Sequence, residues 1–305
     1  LLSSILTINY FLIPGIVIAI FSSIRYLDRK LLIIFLLGSS IIIVNLSTFL
    51  AFFIFYNSIY YVLLFELILI LTVIELLKSD INLTKRISSL KLESLSIHPL
   101  LILISGLIVY VAYYFSINFF KLHHDELFQI FIPGNVLFHE GVINLEPLTN
   151  YTNAHSIAMV EQDGHRGPFF NYVGTLYFFV ATHGNDIFIR LQHFIFYICC
   201  LLTVLVYCTC HFKNLQNASL LVALTFPPLV FLSHIFQFEI AVFFFGYTSL
   251  IFLYLSKNIQ SYGLAVISGM FGLAAVLSKE MSLVFFILVT YYLITEKEFR
   301  KNNLL

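Results

Sequence analysis

From Leu31 to Phe55 the chain runs 25 residues without a charge. About 20 apolar residues in a helix cross the hydrocarbon core of a bilayer, so this one run is long enough to span it. Further apolar stretches lie at 3–24, 57–77, 99–120, 187–210, 218–236, 240–256, 262–278 and 281–295. In lipid every backbone polar group needs an internal partner, which leaves helices or closed barrels. A barrel would read as alternating segments of about ten residues. The runs here are continuous, so the expected class is an all-α integral membrane protein of about nine transmembrane helices. Composition agrees: charged residues make up 10% of the chain, against about 25% in a soluble domain, and the mean hydropathy is +0.96.

A formal net charge of zero leaves no basic face for nucleic acid. Cys199, Cys200, Cys208 and Cys210 sit in or at the end of one apolar run. Their spacing is not that of a zinc site, and they are expected to be small packing residues. The chain begins with Leu, and no basic segment precedes its first apolar run, so no signal peptide is expected. It is expected to be a piece of a longer protein.

Charge predicts the sidedness. Lys and Arg collect in cytoplasmic loops, and segment 78–97 carries Lys78, Lys85, Arg86 and Lys91. With that segment inside, the run at 99–120 leads outward and the polar stretch 121–167 lies on the non-cytoplasmic face. The apolar piece Pro168–Thr182 is short for a span and is expected to lie in the outer interface or re-enter. Twelve of the 16 basic residues then fall inside. The expected division is residues 1–97 as three N-terminal spans with a cytoplasmic linker, and 98–305 as a membrane-embedded core carrying the outer loop.

That loop holds six of the 16 acids and five of the ten histidines. After the fourth run comes His123-His124-Asp125-Glu126, and Asp125 and Glu126 suit the positive end of a helix. Further on stands Gly164-His165-Arg166-Gly167-Pro168-Phe169-Phe170. Pro168 fits a first helical position, and Arg166 carries a fork of donors that matches phosphate. Two other outer turns bring Glu239 and the pair Lys279-Glu280 to the same face. Ionisable groups at membrane depth are costly and mark function or pairing.

The order of these landmarks resembles the polytopic glycosyltransferases of the GT-C fold, and within them the protein O-mannosyltransferase and lipid A aminoarabinose transferase branch. Asp125-Glu126 and Glu140-Gly141 match the outer acidic pair and the turn after the interfacial helix. Arg166-Gly167-Pro168-Phe169-Phe170 is similar to the segment that opens an aromatic-rich helix, and His183-Gly184-Asn185-Asp186 leading to Arg190 matches the turn before the next span. Glu239 stands where an Asp is commoner, and Ser278-Lys279-Glu280 stands for Thr-Lys-Gly. The likeness covers about 99–295, and members continue past the point where this chain stops.

The resemblance implies transfer of a sugar from a polyprenyl-phosphate carrier to an acceptor hydroxyl on a lipid, glycan or protein, at the non-cytoplasmic face of a prokaryotic plasma membrane or the endoplasmic reticulum. Asp125 is then the expected base, with Glu126 orienting donor or acceptor. Arg166 and Lys279 are the cations for the donor phosphate. His124, His165 and Glu239 are supporting residues, Glu239 either pairing with Lys279 or Arg166 or serving as a structural partner of His234. The resemblance assigns no particular cofactor. A divalent metal on His123, His124 and Asp125, with His139 or His165, is the open alternative, although adjacent ligands meet no spacing rule. A transporter or lipid-linked sugar flippase is the rival reading. Transporters place polar groups at mid-membrane on broken helices within repeats, and the sequence offers few mid-span charges and no repeat. A subunit without chemistry is a third.

Overall fold

A computed structural model describes residues 2–21, 29–53, 98–118, 174, 177, 186–211, 216–225, 239–259, 262–279 and 282–295. Among them every element is helical: α1 (Leu2–Phe11), α2 (Ile13–Phe21), α3 (Arg29–Phe53), α4 (Pro99–Asn118), α5 (Asp186–His211), α6 (Gln216–Thr225), α7 (Glu239–Ile259), α8 (Tyr262–Ser278) and α9 (Leu283–Thr295). Among the described residues three stretches are long and apolar enough to cross a membrane: Leu31–Thr48, Arg190–Tyr207 and Glu239–Lys257. Pro99–Tyr114 and Gly263–Ser278 are shorter apolar helices. The expected span at 57–77, most of that at 218–236, and the segment Pro168–Thr182 apart from Gly174 and Tyr177 lie outside the described residues.

The first apolar run forms α1 and α2, which meet at a break. Pro14 has no N–H, so the carbonyl of Tyr10 loses its donor one turn on. The ladder continues on either side, with Leu12 N–H to Ile8 O at 2.9 Å and Ile16 N–H to Leu12 O at 3.0 Å. The next amide, Gly15 N–H, donates to Ser40 Oγ on α3 at 2.7 Å. A side chain at Gly15 would collide with the Leu36 carbonyl, so the glycine is what lets the two helices come this close. At the other boundary type, α4 begins with Pro99 behind His98. The Leu101 amide donates to His98 O at 2.9 Å, and the Leu100 amide donates to His98 Nδ1 at 3.3 Å, which caps the helix start.

Packing and interhelical hydrogen bonds hold the helices together. The α7–α8 pair shows both. Ser249 Oγ donates to Ser268 O at 2.8 Å, and Ser268 Oγ donates back to Ser249 O at 2.7 Å. Gly272, Ala265 and Ala275 leave room for that approach. Around the pair, Phe35, Phe244, Phe252 and Phe271 form a run of tilted and edge-on rings with centroids 5.5–6.4 Å apart. They belong to one buried cluster that reaches from Leu6 on α1 to Ala275 on α8.

The contacts also give the helix directions. Tyr10 meets Asn45 and Gly15 meets Ser40, so α1–α2 runs antiparallel to α3. Asn45 and Gln192 both border Gly174. Thr203 meets Thr248 and Phe196 meets Phe244, so α5 and α7 run parallel. The His98 amide donates to Asn217 at the start of α6, and Tyr113 stacks on Phe194, so α4 runs with α6 and against α5. One end of the bundle, called here the upper end, therefore gathers the start of α5, the start of α7, and the ends of α4 and α8.

Candidate functional site

The upper end holds the charged contact the sequence directs attention to. Glu239 opens α7 and Lys279 follows α8. The Lys279 ammonium donates to Glu239 Oε1. Each charge suits its helix end, a carboxylate at an N-terminus and an ammonium at a C-terminus. The turn beyond is tight: the Ser282 amide and hydroxyl both donate to Lys279 O, at 3.0 and 2.6 Å. Side chains 31% exposed for Lys279 and 42% for Glu239 leave the pair in partial contact with solvent. Its net worth is therefore on the order of 1 kcal/mol or less, and both groups remain able to engage another ion.

Asp125, Glu126, His124, His165 and Arg166 lie outside the described residues, as do His123, His139 and His234. The helix ends that bracket most of them are described. Asn118 closes α4 and Asp186 opens α5, and both stand at the upper end with Glu239 and Lys279. Arg190 lies one turn into α5, half-buried. Among the described residues no group of three His, Cys, Asp or Glu side chains is placed to hold a metal. Cys199 and Cys200 are buried free thiols, and Cys200 Sγ donates to Ile240 O at 3.3 Å.

A second polar group was not singled out from the sequence. Tyr10 Oη donates to Asn45 Oδ1 at 3.0 Å and accepts from Gln192 Nε2 at 2.9 Å. Tyr177 Oη donates to Leu6 O at 2.9 Å, and Asn9 Nδ2 reaches Tyr177 Oη at 3.5 Å. All five side chains are buried. Gly174 lies against Tyr10, Gln192 and Asn45, and a Cβ there would sit 2.6 Å from Tyr10 Oη. The Gln192 side-chain oxygen and the Thr48 hydroxyl are buried and accept or donate no hydrogen bond among the described residues. The signal was present: Asn9, Asn45 and Gln192 are amides inside apolar runs, and polar groups at such depth are expensive.

Compared with known proteins, the chain matches no family model, no curated protein and no solved structure.

Proposed function

We propose that the chain is a membrane glycosyltransferase of about nine spans, moving a sugar from a polyprenyl phosphate to an acceptor hydroxyl at the non-cytoplasmic face. The observation that supports it is the convergence at the upper end. The helix ends that flank 119–185, the stretch with Asp125, Glu126 and Arg166, stand on the same end as the Glu239–Lys279 pair. An acid-rich stretch and a retained cation facing one compartment are what transfer from a lipid phosphate requires.

In the reaction, Asp125 takes the proton from the acceptor hydroxyl as its oxygen bonds to the anomeric carbon. The bond from that carbon to the carrier phosphate breaks, and the phosphate leaves with the electron pair. Arg166 and Lys279 offset the charge that grows on it. Glu126, His124 and His165 orient the reactants, and Glu239 holds Lys279. Lipid at the boundary carries the donor's tail.

The test is sugar transfer by the purified, membrane-reconstituted chain from a labelled polyprenyl-phosphate donor. Asp125→Asn abolishes transfer while membrane insertion is unchanged. Transfer by that variant at the parental rate removes Asp125 from the role of base.

A transporter or flippase is the second reading. The buried Tyr10–Asn45–Gln192 cluster beside the break at Pro14 favours it, because transporters set polar groups at broken helices. Movement of a lipid-linked sugar across vesicles, with no transfer to any acceptor, would select it.

A further inference from the structure

Three of the seven tyrosines exposed among the described residues share one level on α5, α7 and α9; Tyr110, Tyr113 and Tyr114 lie on α4, and Tyr247 is higher on α7. Thr203 on α5 is level with Thr248 on α7. Tyr207 lies four residues below the first and Tyr254 six below the second, so the two stand within about 3 Å of one level. Gly246 on α7 is level with Phe285 on α9. From that pair Tyr254 is eight residues down and Tyr291 six, again within about 3 Å. Three helices thus present a tyrosine at one depth, 44%, 46% and 66% exposed for Tyr207, Tyr254 and Tyr291. Just beyond it, Lys257 is exposed in the last turn of α7.

Above that level the exposed side chains are mostly apolar, Met270 and Leu273 on α8 and Val284, Ile287 and Leu288 on α9, with Tyr247 the exposed phenol among them on α7. An apolar wall that ends in a ring of amphipathic aromatics, with a lysine past the ring, is the profile of a protein at a membrane–water boundary. The aliphatic side meets acyl chains, the phenol sits among head groups, and the ammonium reaches water.

We infer that Tyr207, Tyr254 and Tyr291 mark the head-group boundary of a phospholipid bilayer at the lower end of the bundle. The opposite boundary follows from the same ruler. Arg190 lies 17 residues up α5 from Tyr207, about 25 Å, close to the ~30 Å of a hydrocarbon core. Glu239 stands about 22 Å up α7 from Tyr254. On that ruler the Glu239–Lys279 pair lies several ångströms inside the upper edge of the hydrocarbon core. This inference does not depend on the chemistry proposed above, and it holds for a transferase or a transporter alike.

The chain contains no tryptophan, so single substitutions make clean reporters. Tyr207→Trp, Tyr254→Trp and Tyr291→Trp are each reconstituted into phosphatidylcholine vesicles carrying bromine near the head group or near the chain end. Tyr247→Trp, exposed and about 10 Å nearer the centre, is the deep reference. Head-group-proximal bromine quenches the three ring variants more than chain-end bromine does, and the order reverses for Tyr247→Trp. Unequal depths within the ring, or a Tyr247→Trp as shallow as the ring, overturn the assignment. So does quenching of the ring by neither lipid, which would mean that protein covers it.

Discussion

Removing one oxygen atom from the middle of the α1–α3–α5 interface tests whether its polar contacts hold the bundle together. Tyr10→Phe keeps the ring, which packs against Phe11 and Tyr177 at centroid distances of 4.8 and 5.3 Å. It deletes only the hydroxyl, and with it the donor to Asn45 and the acceptor from Gln192. Tyr10, Asn45 and Gln192 are 0%, 2% and 2% exposed, so water does not replace either bond. An orphaned buried group costs about 1–3 kcal/mol, whereas hydrogen bonds between membrane helices average about 0.6 kcal/mol. With two bonds lost, the expected destabilisation is about 1–3 kcal/mol. The assay is reversible unfolding in mixed micelles, followed by helical circular dichroism. Asn45→Leu removes the acceptor of the same Tyr10 hydrogen bond, so the double variant costs less than the two single changes together. Strict additivity, or a neutral Tyr10→Phe, would refute the view that this network fastens α1 to α3 and α5.

Two further outcomes follow. Gly15→Ala sets a methyl group against the Leu36 carbonyl and forces α2 away from α3, and overpacking of this kind lowers unfolding free energy by about 1–3 kcal/mol. Lys279→Met changes the same quantity by less than about 1 kcal/mol, because the ion pair is part-exposed. On the proposed role it nonetheless slows sugar transfer about a hundredfold, measured with labelled donor; equal small losses in both would assign Lys279 to structure alone.

The helical class and the position of the long runs were legible because a charge-free stretch of spanning length has one stable answer in lipid. The expected run at 31–55 is α3 at Arg29–Phe53, and that at 240–256 is α7 at Glu239–Ile259. The break inside 3–24 was not read, although Pro14 announces it, since apolarity alone carries no information about kinks. The approach of Glu239 to Lys279 was anticipated as one of three pairings; two helix ends that close a hairpin leave little freedom in where their charges go. Of the Tyr10–Asn45–Gln192 cluster the sequence shows only single amides in apolar runs, because its members come from three helices 35 and 182 residues apart along the chain. Only packing brings them together.

The two serines that exchange hydrogen bonds between α7 and α8 also act as a pin. Sliding one helix past the other by a single turn, about 5.4 Å, would break both bonds at once and leave two buried hydroxyls without these acceptors. That same slip would pull the carboxylate of Glu239 out of reach of the Lys279 ammonium. A contact buried midway down the hairpin thereby sets the spacing of two charges at its tip, and conservative changes at Ser249 or Ser268 reach the charged end without touching it.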